Sequence, residues 1–172
     1  MADTLASDVR ASIGWLFQET LDLSTLADSS KLEYSRSLAD GVADDQADKV
    51  WHDTRTVAAT SNDDLDLTAL AMTVFGASIN LSLAKVKAIL VVNTAATAGD
   101  ELEVGGAGSN ALVGPFNGST SAVVEVGADS ALLLCNKRDG WPVVSGTGDI
   151  LRIRNPNSGA VTYKIAILGT SA

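Results

Sequence analysis

The residues with the most chemical potential in this 172-residue chain are one histidine, one cysteine, a run of aspartates between positions 40 and 48, and two glycine-rich clusters. His52 stands between Trp51 and Asp53, a setting in which a carboxylate could orient the imidazole as a general base. Neighbours in an extended chain project to opposite faces, however, so His52 and Asp53 are poor direct partners. Cys135 lies within ALLLCN, where an apolar strand makes a buried, inert thiol the better reading. As the only cysteine it can form neither an intrachain disulfide nor a cysteine zinc site.

Asp40, Asp44, Asp45 and Asp48 supply oxygen ligands, but calcium loops alternate those ligands, bend at a glycine and close on a glutamate. Here Gly41 directly follows the first aspartate and the order is lost, so the segment reads as a solvated acidic loop with no specific metal site, and weak, unspecific cation binding is the alternative. GGAGSN from Gly105 and GTGD from Gly146 contain neither the GxGxxG dinucleotide fingerprint nor a Gly-Lys-Ser/Thr ending, and read as turns. No nucleophile elbow or glycosidase carboxylate pair is present. The expectation is a protein without catalytic residues or cofactor: not an enzyme.

The elements that would position these residues follow a period of two rather than 3.6. LEYSRSL and KVWHDTRTV read as partly exposed strands, and LAKVKAILVVN as a strand entering a two-sided core. Downstream, ELEV, SAVVEV, SALLLCN, DILRIRN and AVTYKIAIL repeat the rhythm between Gly-, Asn- and Asp-rich punctuators. Such turn spacing is the signature of an all-β sandwich or barrel; a β-sandwich is expected, with a jelly roll the preferred variant. DVRASIGWLF favours strand over helix because of Gly14, Trp15 and Phe17, whereas ALAMTVFGASIN reads as a connection or short turn. Val86, Ala88, Leu90, Leu133, Ile153, Ile165 and Ile167 are the expected core.

Charge divides the chain. Residues 1–66 carry 14 acidic and 5 basic side chains, and residues 67–172 carry 7 of each, so the net charge of −9 belongs to the first part. This predicts an extended acidic N-terminal arm over residues 1–62 and a neutral β-sandwich domain over 63–172. Basic residues are too scattered for nucleic-acid binding. No apolar run approaches the roughly 20 residues of a membrane span, and the start lacks the basic and apolar regions of a secretory leader, so no membrane partner is expected. Trp15, Phe17, Tyr34, Trp51, His52 and Arg55 are the candidate interface residues of the arm, and Trp141 in DGWPV is the candidate ligand surface.

Four pieces in order carry a resemblance: SLADGVADDQADKVWHDTRTVA, DLDLTAL, VKAILVVNTA with VGGAGSNALVG, and GDILRIRNPNSGAVTYKIAILGTSA. Together they span most of residues 37–172, and the chain resembles accessory structural proteins of tailed-bacteriophage virions. The resemblance implies a virion location and a non-enzymatic, homo-oligomeric role, with a trimer the preferred state. Head decoration (cement) is the leading reading, with major capsid or tail proteins as further partners. The alternative is a tail, neck or fibre-associated protein contacting a host receptor.

Overall fold

The computed structural model describes residues 4–74 and 76–172 of the chain. The first two strands, β1 (Ser7–Thr20) and β2 (Thr25–Leu38), form an antiparallel ribbon that pairs with no other strand among the described residues. Strands β3 (Lys49–Val57) and β4 (Ser61–Asp66) follow, then a small hairpin of β5 (Leu70–Val74) and β6 (Ala77–Leu81). Next come β7 (Lys85–Asn93), β8 (Leu102–Gly105), a 3-10 turn at Gly114–Phe116, β9 (Val123–Val126), β10 (Ser130–Cys135) and the short β11 (Trp141–Pro142). Strands β12 (Ile150–Asn155) and β13 (Val161–Thr170) complete the chain.

The fold is all-β, with antiparallel sheets that do not close into a barrel. One sheet runs β10-β7-β13-β3, with β11 sharing the β7 edge with β10, and the other runs β4-β12-β8-β9. Their facing side chains form one core: Trp51, Ile89, Val91, Tyr163, Ile165 and Ile167 from the first sheet meet Leu65, Leu102, Val104, Leu151 and Ile153 from the second. The alternation is plain in β13, where Val161, Tyr163, Ile165 and Ile167 are buried while Lys164 is exposed. Side chains two apart share a face, so such a strand presents one apolar side to the opposite sheet.

Several expectations are corrected. The packed body begins at Lys49 rather than at residue 63, because β3 pairs along its length with β13, from Val57↔Val161 to Lys49↔Gly169. The 62/63 division falls inside β4, whose acidic SNDDLD sequence has weak strand propensity and is held by its register with β12. ALAMTVFGASIN is not a simple connection: it contributes to the β5–β6 pairing, while Phe75 lies outside the described residues. Of the expected core, Leu90 is 39% exposed and Leu133 is only half-buried, because both lie on the outer face of the first sheet. The remaining five positions are buried.

That outer face has a cluster of its own. Val9 and Leu38, at the root of the ribbon, pack with Ala47 and Ala88, bordered by Leu5, Leu133, Cys135 and Leu168. Beyond the root, every residue from Arg10 to Ser37 is exposed.

Two measurements test this division. Ile165→Asp should destabilise the body by several kcal/mol, roughly 3 or more, since it places an unpaired charge between the sheets; urea unfolding reads the loss. Near-native stability would remove Ile165 from the core. Replacing residues 12–33 by Asn-Gly, which closes the pair Ala11↔Tyr34 with a two-residue turn, should leave the body cooperatively folded because Val9 and Leu38 are retained. Loss of the cooperative thermal transition would mean that the distal ribbon is part of the folding unit.

Candidate interaction surface

Cross-strand partners in an antiparallel ribbon project to the same face, so the β1–β2 register sorts its side chains. One face carries Val9, Ala11, Ile13, Trp15 and Phe17 from β1, opposite Arg36, Tyr34, Leu32, Ser30 and Asp28 from β2, with Glu19↔Leu26 at the far end. The opposite face carries Asp8, Arg10, Ser12, Gly14, Leu16 and Gln18 against Ser37, Ser35, Glu33, Lys31, Ser29 and Ala27. The ribbon is amphipathic. Its apolar face is uncovered: Ile13 is 71% exposed, Phe17 67% and Leu32 70%.

The rings on that face that carry polar atoms, Trp15 and Tyr34, already have partners for them. The Trp15 indole Nε1 donates to Asp28 Oδ2 at 3.1 Å. The Tyr34 hydroxyl lies 3.8 Å from Cys135 Sγ, at hydrogen-bond range for sulfur, and the Arg36 guanidinium stands 5.1 Å from the centre of the Tyr34 ring. Charges on the other face pair locally, Arg10 with Asp8 and Lys31 with Glu33. Trp15, Phe17 and Tyr34 therefore share one surface.

The other candidate interface residues lie elsewhere. Trp51 is 1% exposed and its Nε1 donates to the Ala71 carbonyl at 2.9 Å, so its ring belongs to the core; this corrects its expected place in an interface. Its sequence context reads as a half-exposed strand, but the parity of Trp51 faces the second sheet. Arg55 shares that parity and is half-buried, bonded through Nε and Nη2 to the two Asp63 carboxylate oxygens at 2.6 and 2.9 Å, with Nη1 reaching Asp53 at 3.1 Å. The buried Tyr163 hydroxyl donates to the same Asp63 at 2.8 Å. This network ties edge strand β3 to edge strand β4 across the open side of the two layers.

Burial works against ionisation of Asp63, but the hydrogen bonds from Arg55 and Tyr163 and the Arg55 charge prevail, holding its carboxyl below the ordinary value of 3.8. The Arg55 guanidinium is correspondingly held charged by Asp63. Burial and the Asp63 charge push the Tyr163 phenol well above its usual range.

His52 is exposed and lines an open groove of about 910 Å³ between β3 and the β5–β6 hairpin, with Thr54, Met72, Ile79 and Lys164 also at its walls. Asp53 alternates to the opposite face and pairs with Arg55, so the two neighbours form no acid–base pair. Trp141 is half-buried against the core. Gly114 makes room for it: a methyl there would fall 2.6 Å from Trp141 Cδ1.

The acidic loop is occupied by the chain's own cations. Lys137 pairs with Asp45 at 2.9 Å and Arg138 approaches Asp44 at 4.0 Å. Lys87 is fully buried beneath them, its Nζ donating to the Arg138 and Ala43 carbonyls. Burial, with Lys85 nearby, lowers the Lys87 pKa, against the pull of Asp44, Asp139 and Asp45. Asp40 Oδ1 accepts from the Leu5 amide and Asp48 from Ser171, further fastening the loop. Among the described residues no group of three or more His, Cys, Asp or Glu side chains is placed to hold a metal ion.

Sequence reasoning missed two buried amides. Asn93 Nδ2 donates to the Asp100 and Val126 carbonyls, and Asn155 bridges Val57, Ala58 and Gly159. Both sit at strand ends beside turns, where asparagine is ordinary, and nothing in their spacing marks them as buried.

In comparison with known proteins, the sequence matches no family model, and no curated protein is significantly similar to it.

The Asp63 network yields a pH prediction. A carboxylate whose folded pKa is depressed adds stability above its unfolded pKa, and that stability is lost as pH falls through the folded value. Asp63→Asn should therefore cost about 1–3 kcal/mol at neutral pH, and the gap from wild type should close as pH drops below about 3.8. Urea denaturation of both proteins between pH 7 and pH 2.5 checks it; a gap that does not depend on pH would show that ionised Asp63 is not the stabilising form.

Proposed function

We propose that this protein is a non-enzymatic structural component of a tailed-phage virion, a homo-oligomeric head decoration protein whose N-terminal ribbon makes assembly contacts. The observation that carries the reading is the ribbon: 14 residues in each strand, an uncovered apolar face, and a folded body behind it. A lone two-stranded ribbon is at best marginally stable in water, so a long one with exposed Ile, Leu, Trp and Phe calls for a covering surface. The resemblance of residues 37–172 to accessory virion proteins supplies the setting.

The strand order supports the jelly-roll variant of the sandwich. Sheets ordered β10-β7-β13-β3 and β4-β12-β8-β9, joined by repeated crossings between layers, match two interlocked Greek keys of eight strands, with β5–β6 and β11 as insertions. Jelly rolls serve in capsids and in carbohydrate-binding proteins alike, so fold by itself does not select between them. A trimer is the preferred oligomer, with major capsid or tail proteins as the larger scaffold.

The adjacent exposed rings of Trp15 and Phe17 on the distal half of β1 favour a second reading, a tail, neck or fibre-associated protein touching a host receptor. Mass spectrometry and cryo-electron microscopy of purified particles made by the genome that encodes this chain separate the readings. Decoration predicts many copies at regular capsid positions, at local threefold axes for a trimer. Density confined to the tail favours the second reading, and absence of the chain from particles overturns both.

A further inference from the structure

We propose that the apolar face of the ribbon, formed by Ile13, Trp15, Phe17, Leu26, Leu32 and Tyr34, is buried against the same face of other copies of this chain. The inference deepens the homo-oligomeric reading above by naming the surface and its occupant, and it rests on that reading only for the expectation that the chain is multimeric.

Area is the first argument. With 150–250 Å² carried by a large ring and somewhat less by Leu or Ile, the exposures of these six side chains amount to roughly 700 Å². A stable interface takes about 800 Å² from each partner, whereas a monomer's patches seldom exceed a few hundred. The face is already close to a complete half-interface. At about 3.3 Å per residue each strand reaches roughly 46 Å, so the area is spread along a stripe that a second stripe of the same kind can match.

Charge is the second. Strands β1 and β2 contain Asp8, Glu19, Asp28 and Glu33 against Arg10, Lys31 and Arg36, four acidic and three basic residues, a net −1. The rest of the chain therefore holds −8 of the total −9. Acidic bodies repel one another, and screening reduces that repulsion beyond about 10 Å, so copies meet most readily along the nearly neutral ribbons. A basic partner would be drawn to the body instead.

The third argument concerns polar groups. Burying a tryptophan or tyrosine face is costly when its donor is left alone, but here Trp15 is already bonded to Asp28 and the Tyr34 hydroxyl already contacts Cys135. The six side chains of the proposed face thus bring no unpartnered donor to the contact. Close packing of such faces across about 10 Å is the ordinary packing of two sheets.

The test uses the full chain in sedimentation velocity from 0.1 to 100 μM, with Ile13→Asp and Leu32→Asp on the apolar face and Leu16→Asp on the opposite face. Leu16 is as accessible a leucine as Leu32 is, at 62% against 70%, so it controls for a general loss of surface hydrophobicity. Circular dichroism confirms that each variant keeps the fold. Wild type and Leu16→Asp should associate alike, while either apolar-face variant should weaken association by about 100-fold or more, as expected for a charge in the centre of an interface.

A wild type that stays monomeric throughout, or apolar-face and opposite-face variants that behave alike, overturns the proposal. Particle binding separates the two levels of inference. A monomeric chain that binds virions through the ribbon defeats homotypic burial and leaves the virion role standing. A chain that self-associates through the ribbon but is absent from virions does the reverse.

Discussion

A β-sheet has two faces, and each apolar face must be covered by something. In the body this requirement is met internally: the inner faces of the two four-strand paths meet in one layer built around Trp51, Ile89, Leu102, Leu151, Ile153, Tyr163 and Ile167. Everything else follows from keeping that layer closed. The Arg55–Asp63–Tyr163 network bridges the β3 and β4 edges, and Asn93 and Asn155 satisfy loop carbonyls that would otherwise face the core without partners. Asp63, Asn93 and Asn155 are each matched to partners that the opposed sheets and their turns bring to them.

The same requirement is only half met outside the body. On the outer face of the first sheet, the ribbon root covers Ala88 with Val9 and Leu38, but Leu90 stays in the open. Past the root the ribbon carries an apolar face with no sheet opposite it among the described residues. The body and the ribbon thus obey one rule of alternation and differ in whether the second layer lies within the chain. This contrast carries the structural reading of the protein as an assembly component.

Acidity turns out to be distributed by the fold rather than by position in the chain. The ribbon strands are nearly neutral through local pairs, and the loop between ribbon and β3 is compensated by Lys137, Arg138 and the buried Lys87. Arg152 and Arg154 pair with Asp64 and Glu103 on the outer face of the second sheet. Part of the acidity that reads in the sequence as one arm is thereby paired, because cross-strand register and loop packing bring basic residues from the C-terminal half to individual acidic ones, while the net charge of the body stays negative.

Alternation of side chains is a local property, and so the β class and strands such as KVWHDTRTV, DILRIRN and AVTYKIAIL were legible in the sequence alone. So was the burial of Ile153 and Ile165. The partners of a strand are not local. Nothing in SNDDLD announces a strand until Arg152 stands opposite Asp64, and nothing in KVWHDTRTV says that Trp51 faces a core while His52 faces water, because parity fixes which residues share a face but not what lies against it. The sequence likewise showed apolar residues near Trp15, but only the pairing of Ile13 with Leu32 and Ala11 with Tyr34 assembled them into one face. Local chemistry determined the strands and the absence of recognisable catalytic motifs; long-range pairing decided the body's first residue, the burial of Trp51, and the exposed surface on which the candidate function rests.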